Sequence, residues 1–119
     1  MAKEIDHNAI WKKAILVEGY DPDLIRKDCC GAWILKDEYA NRDSRFGWEV
    51  DHIFPESLGG GNDADNLRPM QWENNVSKGN DYPNYIAAVK AEGGENVDSE
   101  AQFSVNETTQ EILKKLYQI

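Results

Sequence analysis

Apolar residues recur along the chain in short groups whose spacing changes from one group to the next. Over 6–17, Ile10, Trp11, Ala14 and Ile15 fall on one face at helical spacing, which predicts a helix ended by Gly19. Asp21 and Pro22 then offer a cap and a first turn for a second short helix through Leu24 and Ile25. Ala32-Trp33-Ile34-Leu35, placed after Gly31, reads as a short strand, and Lys36 to Arg45 reads as a polar loop. From Phe46 to His52 large apolar residues alternate with small or charged ones, the pattern of a half-buried strand. Pro55 and the run Gly59, Gly60 and Gly61 force a loop. Asn66 to Met70 is a second short strand, and Trp72 to Lys78 a short helix ended by Gly79.

Further on, Tyr82, Tyr85, Ile86 and Val89 fit a helical stripe. Gly93-Gly94 equally fits a two-residue hairpin turn between 86–92 and 95–97, and the hairpin is the favoured reading. Asn106 suits the N-cap of a last helix with Ile112, Leu113, Leu116 and Tyr117 facing inward. The expected class is α+β, one small domain over 1–119. A hydrophobic content of 40% with four Trp supplies a core for 119 residues, so wholesale disorder is excluded.

Charge and cysteine content narrow the function classes. Thirteen Lys and Arg face twenty-two Asp and Glu, a formal net charge of −9. The balance is six basic to eight acidic over 1–39, four to seven over 40–80, and three to seven over 81–119. Such acidity argues against gripping nucleic acid through a broadly basic surface. No apolar run approaches the ~20 residues of a membrane helix. Ala14 to Val17 is also too short for a secretory signal, so the expected compartment is cytoplasmic, with no membrane partner. Cys29 and Cys30 are adjacent and the only cysteines, which leaves no disulfide framework and no thiolate zinc site. They read as two small, partly buried reduced thiols.

Candidate chemistry is concentrated between Trp48 and Asn80. Asp51 and His52 lie together at the end of a predicted strand, Asn66 follows fourteen residues after His52, and Asn75 nine residues after that. A strand–loop–strand–helix unit could gather Asp51, His52 and Asn75 at one end. Oxygen donors from Asp51 and Asn75 suit a hard cation such as Mg²⁺, which keeps several waters and completes its shell with phosphate. Beside such an ion, His52 could take a proton from an attacking water. His7 reads as exposed, Glu73 and Asp65 as solvated acids, and Asn74 competes with Asn75 for the ligand position.

Val50-Asp51-His52-Ile53, the glycine loop, Asp65-Asn66-Leu67 and Asn75-Val76-Ser77-Lys78 together resemble the HNH endonucleases, in the variant whose final His is Asn. The resemblance covers 46–80, under a third of the chain, and Gly-Trp-Glu-Val-Asp-His with Gln-Trp-Glu-Asn-Asn is similar to small bacterial and phage members. It implies a ββα-metal finger with flanking helices and metal-dependent hydrolysis of DNA phosphodiester bonds, RNA staying open as a substrate. His52 would be the general base. Asn66 would join the catalytic set by pinning the loop that orients His52, and Asp51 and Asn75 would hold one divalent ion, Mg²⁺ first and Mn²⁺ among the others. Lys78 would contact the substrate phosphate, with Arg68 and Arg45 as weaker candidates. The Asn-x-x-Lys register favours Asn75 over Asn74.

Many members brace the finger with a zinc bound by flanking Cys-x-x-Cys pairs, which this chain lacks. The resemblance therefore implies no structural zinc and a brace of apolar packing from Trp48, Ile53, Leu67 and Trp72. The acidity implies weak DNA affinity by the chain alone and a basic partner protein or second subunit to supply the grip. It also keeps an alternative in play, a non-catalytic nucleic-acid or protein-binding module of the same fold in a phage or defence assembly.

Overall fold

Three hairpins, each built from strands consecutive in the chain, frame the molecule. A computed structural model describes residues 3–119. Strand β1 (Ile25–Lys27) pairs with β2 (Trp33–Leu35), β3 (Trp48–His52) with β4 (Leu67–Gln71), and β5 (Asn84–Glu92) with β6 (Glu95–Ser104). All three pairs are antiparallel, and each forms its own two-stranded sheet. Helix α1 (His7–Trp11) precedes them, α2 (Trp72–Lys78) follows β4 directly, and α3 (Glu107–Tyr117) ends the chain. The class is α+β, as the periodicity predicted.

The first segment departs from its apolar periodicity. α1 opens with Asp6 accepting from Ala9 N and runs only to Trp11, well short of the predicted end. The buried Arg26 guanidinium explains the early stop, since it donates to the carbonyls of Lys12 and Ala14 at 3.1 and 3.3 Å. Ile15 then bridges to Lys27 in antiparallel fashion, which a continuing helix would forbid. The predicted second helix is a single turn. Leu24 N and Ile25 N both reach Asp21 O, and Ile25 leaves the turn to begin β1.

Later elements follow the pattern closely. α2 keeps its predicted bounds, with the Gln71 side chain accepting from Asn74 N at its start. The favoured hairpin at Gly93-Gly94 forms, with longer strands than 86–92 and 95–97. Asn106 caps α3 through Thr109 N at 2.7 Å. Leu113 is wholly buried and Tyr117 half-buried, whereas Ile112 and Leu116 stay exposed, so the apolar stripe of α3 is narrower than predicted.

Two apolar clusters flank the β3–β4 hairpin. Trp48 and Leu67 join Ile10, Trp11, Ala14 and Ile34 in one; Ile53 and Met70 join Phe54, Tyr85, Val105 and Leu113 in the other. Leu67 and Met70 are three apart on one strand and so face opposite sides. Of the four residues expected to brace the finger, three lie in these clusters. Trp72 instead donates its indole N–H to Ser44 O at 2.8 Å and is only half-buried.

No strand is shared between sheets, so apart from a backbone bond from Ala91 N to Gly31 O at 3.0 Å the links are made largely by side chains. The fully buried Asp28 carboxylate, in the β1–β2 turn, accepts from Cys30 N and Ala32 N, from Gln71 N, and from Asn74 Nδ2, at 2.9–3.1 Å. Burial pushes this carboxyl above its ordinary pKa, and the four donors pull the other way. Asn74 carries the link onward. Its Oδ1 accepts from Ala88 N and Val89 N at 2.8 Å, at the irregularity of the β5–β6 register, and its Nδ2 also reaches Val89 O. Cys29 and Cys30 are both free thiols, the first half-buried and the second buried. Among the described residues, no helix is long and apolar enough to cross a membrane.

Asn74→Ala removes four side-chain bonds and leaves Asp28 short of a donor and two N–H groups without acceptors. The expected loss is about 2–4 kcal/mol in urea unfolding. A loss within experimental error would show that the hub does not join the hairpins.

Candidate functional site

Asp51 and His52 end β3, and both border a cleft at that strand end. The cleft, of about 330 Å³, opens between this strand end and α2, lined among others by Asp51, His52, Glu56 and Asn75, with Arg42 at its edge. The predicted gathering of Asp51, His52 and Asn75 thus occurs around one cavity.

The His52 ring is held by the loop that follows it. Nε2 lies 2.7 Å from Asn62 Oδ1, and Nδ1 lies 3.6 Å from Glu56 Oε1. Asn66 shapes that loop from inside. Wholly buried, it accepts from Phe54 N at 2.7 Å and donates from Nδ2 to Phe54 O and Gly61 O. Its own carbonyl accepts from Ile53 N. All these partners are backbone, so Asn66 is a positioning residue that fixes the chain next to His52. The loop is also tight at Gly60, where a Cβ would fall 1.8 Å from Phe54 O. Tyr117 of α3 closes the outer side, its hydroxyl donating to Asp63 Oδ2 and accepting from Gly61 N.

Asp51 lies opposite Arg68 in the strand register and is almost completely buried. Its Oδ2 accepts from Arg68 Nε at 2.8 Å, and its Oδ1 is 3.2 Å from Lys78 Nζ. The Lys78 ammonium, fully buried, also donates to His52 O at 3.2 Å. Here the structure differs from expectation. Lys78 and Arg68 do not project toward a substrate, because a buried carboxylate left without cations would be too costly. Arg45 does not line the cleft either; it pairs with Glu73 and Asp98 near the start of β6. The cation at the cleft edge is Arg42, bidentate on Glu49 at 2.8 and 3.0 Å and 5.7 Å from the Trp72 ring. No pattern in the polar loop 36–45 distinguishes Arg42 from its neighbours, and the same holds for Asn62 among the turn residues after the glycines.

The competition between Asn74 and Asn75 is decided by burial. Asn74 is committed to the hub, while Asn75 lines the cleft and donates from Nδ2 to Glu49 Oε1 at 3.2 Å. Partial burial pushes the Glu49 carboxyl up, but Arg42 and Asn75 outweigh it and hold its pKa below the ordinary value. The stability Glu49 contributes is therefore present at neutral pH and lost as the medium is acidified through its folded pKa.

Asp51 and Asn75 offer hard oxygen donors to one cavity, the chemistry a divalent ion such as Mg²⁺ accepts. Each Asp51 oxygen faces a protein cation and keeps a further lone pair. Among the described residues, no three His, Cys, Asp or Glu side chains cluster into a metal cage. The residues thus fit an ion held by two protein oxygens and otherwise by water and phosphate. Compared with protein-family models, curated proteins and solved structures, the chain matches none.

Asp51→Asn uncouples two buried cations from their counter-charge, and the expected loss is about 3–5 kcal/mol in urea unfolding. A variant as stable as the parent would mean that the ion triad does not hold β3, β4 and α2 together.

Proposed function

We propose that this chain is a metal-dependent endonuclease of the HNH type that hydrolyses phosphodiester bonds in DNA. The observation that carries the reading is His52, fixed by its loop at a cleft that Asp51 and Asn75 also line, within a strand–loop–strand–helix unit spanning Trp48–Lys78. His52 accepts the proton of a water aligned for attack on phosphorus. Asn66 keeps the backbone beside His52 in place. Arg42, at the edge, is the cation available to a phosphate oxygen, in exchange for part of its bond to Glu49. Asp51 and Asn75 would hold the divalent ion, which when bound offsets charge on the phosphate and the departing oxygen.

The pairing of Arg68 with buried Asp51 and the burial of Lys78 favour a second reading, since they turn two cations away from any nucleic-acid surface on an already acidic chain. A module of this fold that binds a basic protein without cutting would have the same electrostatics.

Nicking of supercoiled plasmid by the pure protein separates the two. Cleavage is expected with Mg²⁺ or Mn²⁺, absent in EDTA, and slower by about 10²–10⁴-fold in His52→Ala. If His52→Ala cuts as fast as the parent, the assigned base is wrong. If several divalent metals support binding but no cutting, the enzymatic reading gives way to the binding module.

A further inference from the structure

His52 makes a contact that goes beyond the motif residues. Its Nε2 is 2.7 Å from Asn62 Oδ1, and Asn62 Nδ2 in turn donates to the backbone carbonyl of Lys3 at 3.0 Å. The second bond fixes the first. A carbonyl only accepts, so the Asn62 nitrogen must face Lys3, and its oxygen must face the imidazole. An amide oxygen only accepts as well, so the imidazole nitrogen opposite it must carry the hydrogen.

We infer that Asn62 is a positioning residue that locks neutral His52 as the Nε2–H tautomer, leaving Nδ1 as the proton acceptor on the side of the exposed Glu56. This deepens the nuclease reading and takes its catalytic meaning from it. A ring held in this way presents a lone pair at one defined atom, whereas an untethered imidazole divides its population between two tautomers and several rotations. The tether runs through the loop to the segment before α1. There the Lys3 ammonium also pairs with Asp63, beside Asn62, and Tyr117 bonds the same carboxylate. Asn62 is thus held from both the N-terminal segment and α3.

The tautomer can be read without metal or substrate, by side-chain ¹⁵N resonances at about pH 8, where histidine is mostly neutral. Only His7 and His52 contribute, and a His7→Gln variant assigns them. The expected parent spectrum shows two widely separated His52 nitrogens and a slowly exchanging Hε2. Asn62→Ala should bring the shifts toward a two-tautomer average and lose the slow proton. A single protected tautomer persisting in Asn62→Ala overturns the assignment. In the cleavage assay Asn62→Ala should lower kcat about 10-fold with KM unchanged. Absence of cleavage by the parent would remove the nuclease reading and leave the tautomer result standing.

Discussion

The architecture depends on one buried carboxylate. Asp28 gathers donors from its own turn, from the end of β4 and from α2, and through Asn74 it reaches the backbone of β5. Sheets usually extend by adding strands, and their ladders then carry the connection. Here each sheet stops at two strands, and isolated two-stranded sheets are marginal in water. The apolar clusters supply attraction between the hairpins, but attraction of that kind is not directional. Asp28 and Asn74 supply direction, because each of their bonds has a required geometry and a cost if unmade. The orientation of α2, and hence the position of Asn75 at the cleft, follows from that hub.

A second buried carboxylate plays a related part nearer the site. Asp51 draws Arg68 and Lys78 inward, and the buried Arg26 is likewise spent on the carbonyls of Pro22, Lys12 and Ala14. Three of the thirteen cations are therefore turned inward, alongside the two buried carboxylates Asp28 and Asp51, so the exterior stays about as acidic as the overall charge of −9 conveys. Any attraction for a polyanion has to be local, at the cleft edge by Arg42 or at a bound ion.

Features that depend on neighbours in sequence were legible from the residues. The glycine loop, the β3 strand, the α2 bounds and the hairpin at Gly93-Gly94 all rest on local periodicity and turn chemistry. The co-location of Asp51, His52 and Asn75 was legible because a strand end, a loop and a helix of fixed length leave little freedom. Features set by partners distant in sequence were hidden. α1 ends early because Arg26 competes for its carbonyls, and nothing within 6–17 announces that. The roles of Arg45 and Arg68 rested on charge and that of Lys78 on charge and motif register, and neither reveals whether a cation faces solvent or a buried acid. Asn62 was hidden for the same reason, since its partners are His52, ten residues earlier, and the Lys3 carbonyl in the far N-terminal segment.

The pairing of consecutive strands in all three hairpins also bears on how the chain reaches this state. Antiparallel pairing across the short connections of β1–β2 and β5–β6 requires little search, so those strands can form early and separately, whereas β3 and β4 must close a longer loop over 53–66. Joining hairpins far apart in sequence requires a longer search, and a few buried side chains take part in it together. Residues such as Asp28 and Asn74 then matter most in the last stage of assembly, and weakening them should hasten unfolding more than it delays folding. The same polar hub that orients α2 would thus also set the lifetime of the folded molecule.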